Sequence, residues 1–209
     1  SYDKVRLEVS GFHGEEPAEN RWNIDWAGMD SWSSRLSVFP TQNWMGQFSI
    51  GRLKTPEAIH PDDIVRTTAS VHHVLPRSGG NYWATSFIWA RNYKTIERHA
   101  THAVVAETVV PLRRRNLITG RFEWSQRDEL FENDHEIGEP LERQTGKQAF
   151  AVGAYTIGYT RDVDLFPYVQ TGIGANFTAY TPAGELKPFY GERPFGVNVF
   201  LRIRVRTGE

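Results

Sequence analysis

The chain has 209 residues, a length that suits one all-β domain, and 24 basic residues nearly balance 25 acidic ones. The balanced charge argues against a nucleic-acid-binding protein, which needs a clustered basic surface. The lack of cysteine excludes disulfides, thiolate catalysis and cysteine-ligated zinc. No apolar run approaches the roughly 18 residues of a transmembrane helix, which excludes a helical membrane protein but leaves a transmembrane barrel open.

Alternating apolar and polar residues predict that nearly the whole chain forms β-strands, with almost no segment of helical periodicity. The ten predicted strands lie at about 3–12, 31–39, 44–53, 64–75, 81–92, 98–110, 115–126, 148–160, 165–179 and 194–206. The whole chain, 1–209, is expected to form a single domain.

The connections between these strands mostly alternate between short and long. The short ones, such as "PTQN" at 40–43 and "RDVD" at 161–164, carry turn residues. The long ones, such as 13–30 and 128–147, are polar and charged, although the fifth gap, "YKTIE", is only marginally long. Short turns at one rim and long loops at the other are typical of outer-membrane barrels.

The last predicted strand, "PFGVNVFLRIRVR", shows the two faces most clearly. One face is apolar and carries Phe195, Val197, Val199, Leu201, Ile203 and Val205. The other carries Gly196, Asn198, Phe200, Arg202, Arg204 and Arg206. A soluble barrel turns its apolar face inward, whereas a membrane barrel turns it to lipid and keeps a polar lumen. Apolar faces rich in small residues, with aromatics near strand ends, favour lipid contact. We therefore expect an all-β, antiparallel up-and-down transmembrane β-barrel of about ten strands, or the C-terminal ten strands of a larger one.

Several stretches carry a family resemblance: "DSWSSRLSVFPTQNW", "GRLKTPE", "RTTASV", "WATSFIWARN" and "TGIGANFTAY…KPFYGERPFGVNVFLRIR". They resemble a family of uncharacterised bacterial outer-membrane β-barrel proteins, sometimes described as porin-like. The resemblance runs through most of the chain and implies that it is the C-terminal part of such a protein, following a signal peptide, His-rich segments and further strands. It implies no substrate and no catalytic residue. The sequence ends "RVRTGE" and departs from the terminal Phe or Trp usual in outer-membrane barrels.

Charged residues on the polar faces are the candidate pore-lining set: Arg35, Arg66, Arg121, Glu123, Arg202, Arg204 and Arg206. The last three form an arginine ladder that would favour anions. The alternative is a set neutralised by Glu8, Glu123 or other facing carboxylates, or a solvated strand end.

No metal site, cofactor or enzymatic activity is expected. His72 with His73, and His99 with His102, point to opposite strand faces, although a lone His60 or His135 could join loop carboxylates around a cation. Asp128, Asp134 and His135 lie near one rim, but their spacing fixes no catalytic geometry, and hydrolase and phosphate-binding motifs are missing. The acidic stretch "DELFENDHEIGEPLE" reads either as a solvated loop or as a partner-binding segment, with carboxylates of the kind that bridge divalent ions near lipopolysaccharide.

The expected function is passive diffusion of small polar or anionic solutes across a bacterial outer membrane. The expected partners are the lipid bilayer with its lipopolysaccharide and those solutes, and the oligomeric state stays open. Two alternatives remain: a closed structural or adhesive barrel with a plugged lumen, and a soluble β-barrel that binds an apolar ligand.

Overall fold

The computed structural model describes residues 4–15, 28–56, 62–77, 81–113, 115–128, 130–131, 135–163 and 169–205. Ten strands follow one another along the chain: β1 (Val5–Phe12), β2 (Ser31–Thr41), β3 (Trp44–Leu53), β4 (Ile64–Pro76), β5 (Tyr82–Lys94), β6 (His99–Leu112), β7 (Asn116–Arg127), β8 (Phe150–Asp162), β9 (Val169–Pro182) and β10 (Phe195–Val205). Each predicted strand overlaps an observed one. Strand length and the period of two were therefore sufficient to find every strand of the sheet.

The strands form one antiparallel sheet in chain order, from β1 to β10, which is an up-and-down arrangement. β1 and β10 are the outer strands, and no ladder joins them in the part of the chain that the structure describes. The prediction of an all-β, antiparallel up-and-down sheet is confirmed, but hydrogen bonds between the described residues do not close this sheet into a barrel. Among the described residues, no helix has the length and apolar character needed to cross a membrane.

Contacts divide the chain into two units. Unit 1 is Ser1–His72 with Ile88–Val104, and unit 2 is His73–Phe87 with Val105–Glu209.

The strand register in unit 1 separates an apolar face from a polar face. Leu7 pairs with Leu36, which pairs with Phe48 on the other side, and all three point to the apolar face. The residues between them point the opposite way, and there the hydroxyls of Ser49 and Thr68 lie 2.6 Å apart. Cross-strand hydroxyl pairs of this kind satisfy polar groups within the sheet.

The register in unit 2 makes the same separation. Ile157 pairs with Phe177, which pairs with Val197, on the apolar face. On the polar face the hydroxyls of Thr156 and Thr178 lie 2.8 Å apart. Both units therefore present one continuous apolar row of side chains and one polar row.

Most of the large apolar side chains are exposed, and the buried side chains are mostly polar. Among the described residues, only three large apolar side chains are buried: Ile64, Phe150 and Leu186. The buried polar side chains are more numerous: Ser31, Ser37, Asp62, Ser70, Ser125, Thr160, Asp162 and Thr171. The apolar faces are exposed, including Leu7, Val9, Leu36, Phe48, Ile157, Phe177, Val197, Val199 and Leu201. Large apolar side chains normally fill the interior, so an exposed apolar face of this extent marks a surface that contacts a partner, a ligand or a membrane.

The connections contain helical segments that the sequence did not predict. The acidic stretch read as a solvated loop contains a helix, α1 (His135–Thr145), which ends at Gly146 in a left-handed conformation (φ 65°). The β9–β10 connection contains a 3₁₀ turn (Gly184–Leu186) followed by a short helix, α2 (Lys187–Tyr190). The fifth connection, expected to be marginally long, is a tight turn at residues 95–98. The alternation of short and long connections therefore fails at this one gap.

Candidate functional site

The structure places six of the seven predicted pore-lining residues on polar faces of the strands. Arg35 and Arg66 belong to unit 1, and Arg121, Glu123, Arg202 and Arg204 belong to unit 2. The seventh, Arg206, lies outside the described residues.

The polar face of unit 1 contains a cleft of about 540 Å³, which is large enough for a small solute. Glu8, Ser33, Arg35, Ser49 and Arg66 contribute to its walls. The register sets Glu8 opposite Arg35, and Ser49 follows on the next strand. The cleft therefore combines hydroxyl groups, two guanidinium groups and one carboxylate with several apolar side chains.

The two arginines of this cleft make no ion pair with any described carboxylate. The Arg66 Nε atom instead donates a hydrogen bond of 2.9 Å to Asn92 Oδ1. A neutral amide orients the guanidinium group without neutralising it. The cleft therefore keeps positive charge that can attract a small anion.

The polar face of unit 2 carries a network of paired charges. Arg121 lies 2.8 Å from Glu123 and 3.7 Å from Glu107, and Arg127 lies 3.4 Å from Glu123. Arg127 also donates a hydrogen bond of 3.1 Å to the Ser125 hydroxyl. These residues hold one another in place, and two arginines face two carboxylates, so the network carries no net charge.

Arg202 is likewise neutralised, by Asp162. The two side chains form an ion pair, and Gln170 Nε2 donates a hydrogen bond of 2.9 Å to the same carboxylate. Gly172 lies between them in the sheet and is the register partner of both Asp162 and Arg202. A Cβ atom at this position would lie 2.9 Å from Asp162 Oδ1, so glycine leaves the space in which the pair meets.

The arginine ladder is therefore not a uniform row of unpaired charge. Arg202 is paired, and Arg204 is exposed, with Gln170 as its register partner. The alternative in which a facing carboxylate neutralises the ladder holds for Arg202. The carboxylate is Asp162, one of the other facing carboxylates that this alternative allowed beside Glu8 and Glu123.

Asp62 organises the β3–β4 connection in unit 1. Its carboxylate accepts hydrogen bonds of 2.9–3.0 Å from the backbone N–H groups of Thr95, Ile96 and Glu97, and also from the Thr95 hydroxyl. Burial raises the pKa of Asp62, but these hydrogen bonds together outweigh it and hold the pKa below its usual value. Asp62 therefore ties the β3–β4 connection to the β5–β6 turn in its charged form.

The adjacent Asp63 fixes the same connection to β3. Its carboxylate lies 2.5 Å from Arg52 and accepts a hydrogen bond of 3.2 Å from the Thr55 backbone N–H. The two consecutive carboxylates therefore have separate structural partners and do not contact the same group.

The start of the β1–β2 connection brings a histidine between two carboxylates. His13 Nδ1 lies 3.2 Å from Asp30, and His13 Nε2 lies 3.4 Å from Glu15. The backbone N–H of Gly14 and the hydroxyl of Ser31 donate to Asp30 and lower its pKa. These contacts hold the two ends of the β1–β2 connection together.

The structure identifies no metal cluster among the residues that it describes. His60 and the side chain of His135, for which the sequence left a cation site open, lie outside those residues, as does Asp134, which the sequence placed near one rim.

Sequence reasoning missed the residues that neutralise or fix the charged groups. The eighth strand was predicted to end at residue 160, which left Asp162 in a turn and hid its position on the polar face. Glu107 follows the alternation of β6 and shares a face with Arg121, so consistent strand parity could have found it. The partners of Asp62 are more than 30 residues away in the chain, and no local pattern indicates them.

Comparisons with known proteins add no assignment. No protein-family model, curated protein or solved structure matches this chain.

Proposed function

We propose that the chain forms an outer-membrane β-barrel, or the C-terminal ten strands of a larger one, through which small polar or anionic solutes diffuse passively. The observation that carries the proposal is the reversed burial: large apolar side chains are exposed along both units, while small polar side chains are buried. Lipid supplies the apolar environment that such a face requires. An up-and-down antiparallel sheet is also the architecture of transmembrane barrels.

The preference for anions rests on the cleft of unit 1. Arg35 and Arg66 retain positive charge there, and the serine hydroxyls beside them can replace part of the hydration shell of a solute. Rings and clefts of arginine select anions in pores.

A plugged barrel is the second candidate, and the paired charges of unit 2 favour it. Arg121, Glu123 and Arg127 occupy one another, and Arg202 is held by Asp162. Phe200 also covers Gly174 on this polar face, since a Cβ at Gly174 would overlap its ring. Side chains that fill and neutralise a narrow lumen would close it, as in small barrels.

Planar-bilayer recording separates the two candidates. The full-length, detergent-purified protein is inserted, and conductance and reversal potential are measured in a salt gradient. We expect discrete conductance steps with a preference for anions. The double change Arg35→Glu with Arg66→Glu should shift the reversal potential toward cations, because it replaces two positive charges in the cleft with two negative ones.

The matched control is Arg98→Glu with Arg193→Glu, two exposed residues in connections, which should leave the reversal potential nearly unchanged. Insertion without conductance would contradict the proposed pore and favour the plugged barrel. Full solubility of the purified chain without detergent would contradict both and favour a soluble β-barrel.

A further inference from the structure

A pocket of about 260 Å³ lies in unit 2, where β8 and β9 meet the β9–β10 connection. Its walls are Leu130, Val152, Tyr180, Leu186, Tyr190 and the neighbouring prolines. No charged residue contributes to these walls among the described parts of the chain. Leu186, at the base, is among the most buried side chains described, with 1% of its surface exposed.

The pocket opens on the polar face. Val152 follows the parity of Thr156, and Tyr180 that of Thr178, and these two threonines share a hydroxyl contact on that face. Lipid that covers the opposite, apolar face therefore does not account for this apolar patch. An apolar pocket on an otherwise polar face calls for a separate explanation.

Aromatic contacts hold one wall of the pocket in place. The ring of Phe131 lies 5.2 Å from that of Phe189, edge to face, and 6.2 Å from that of Tyr190. These contacts join the segment after β7 to α2.

Backbone hydrogen bonds and one ion pair hold the other wall. Ala183 N–H donates to Ala151 carbonyl oxygen at 2.9 Å, and Tyr180 N–H donates to Pro194 carbonyl oxygen at 2.9 Å. The Lys147 ammonium group lies 2.5 Å from the carboxylate of Glu185, within the 3₁₀ turn. Both walls are thus held in place before a ligand binds. The free-energy cost of ordering their side chains on binding is therefore small.

We propose that this pocket binds a small uncharged apolar molecule, with one or two aromatic rings or an alkyl group of similar size. Apolar cavities of about 150 Å³ stay dry and accept benzene, and this pocket is larger and lined by two tyrosine rings. The apolar walls offer no partner for a charged ligand, whose desolvation would be uncompensated. The site does not depend on an open lumen, so it goes beyond the proposed pore.

Methyl NMR of the full chain in lipid nanodiscs tests the proposal, with toluene and naphthalene as probes. We expect the chemical shifts of the Leu130 and Leu186 methyl groups to change with probe concentration and then to saturate. Over the same range of concentrations, the shifts of methyl groups on the exposed apolar face should change linearly without saturating. The linear response reports partition into lipid, and the saturable one reports the pocket.

Val152→Phe should fill the pocket and raise the dissociation constant of the probe at least about tenfold. A few heavy atoms that do not fit an apolar site have an effect of this size. Val197→Phe adds the same bulk on the exposed apolar face of β10 and should leave binding intact, and Val152→Ala should retain it. If Val152→Phe does not fold, Leu130→Trp can replace it. This variant fills the pocket from the β7–β8 connection and should weaken binding to the same extent. Linear responses at every methyl group, or saturable shifts that survive both filling variants, would overturn the proposal.

Discussion

The proposed lipid contact along β10 makes a quantitative prediction, because the apolar face of this strand is exposed from Phe195 to Ile203. Phe195, Val199 and Ile203 expose 70%, 73% and 63% of their surfaces. Eight residue steps separate the first from the last, and at about 3.4 Å per step and a tilt of about 40° they span about 21 Å along the membrane normal. That length is close to the apolar band of about 25 Å in known barrels, and Val199 lies at its middle.

Val199→Arg therefore distinguishes lipid from water at this face. In lipid, an arginine near the bilayer midplane lowers the free energy of unfolding by about 2–4 kcal/mol. In water, the same exposed substitution changes it by no more than about 0.5 kcal/mol. Asn198→Arg is the matched control, since the adjacent residue points to the polar face and should have little effect in either environment.

The assay is reversible guanidinium unfolding of the full chain in phospholipid vesicles, followed by tryptophan fluorescence. The expected result is a loss of about 2–4 kcal/mol for Val199→Arg and a much smaller change for Asn198→Arg. Small and equal changes for the two variants would refute lipid contact at β10 and, with it, the reasoning from reversed burial.

Three further predictions concern residues that fix the sheet and its connections. Asp62→Ala removes the acceptor of three backbone N–H groups, so hydrogen exchange in the β5–β6 turn should accelerate by the equivalent of about 2–4 kcal/mol, whereas Asp63→Ala should leave those amides protected. Because the pKa of Asp62 lies below its usual value, this protection, measured relative to the unfolded chain at the same pH, should be complete above about pH 4 and be lost as the pH falls further; protection factors that stay high in acid would contradict the assignment. Gly174→Ala should lower the free energy of unfolding by about 1–3 kcal/mol in denaturant titrations because the new methyl group meets the Phe200 ring, while Gly196→Ala, with open space around it, should not.

The strands and their two faces could be predicted from the sequence because each depends on local alternation. In β10 the apolar residues recur at every second position, and the register with β9 follows the same parity. The polar-face positions of Arg35, Arg66 and Arg121 followed from this rule alone. Whether their charge is free or paired did not follow, because the partner lies on another strand.

Tertiary contacts decided the features that the sequence did not predict. Gly138 and Pro140 lie within α1 and weaken its helical signal. The structure packs Gly138 against Phe131, where a Cβ would lie 3.1 Å from the Phe131 carbonyl oxygen, and this close approach has no local sequence pattern. The tight β5–β6 turn likewise depends on a distant carboxylate, that of Asp62.

Gly172 has a consequence for how this protein can change through evolution. It lies in one row of the sheet between Asp162 and Arg202, and the ion pair crosses the space above it. A Cβ atom at this position would lie 2.9 Å from Asp162 Oδ1, so any side chain there would displace the carboxylate and weaken the pair. In relatives of this chain, the three positions should therefore vary as a triplet: a glycine where both charges are kept, and a larger residue only where one of the charges has been replaced.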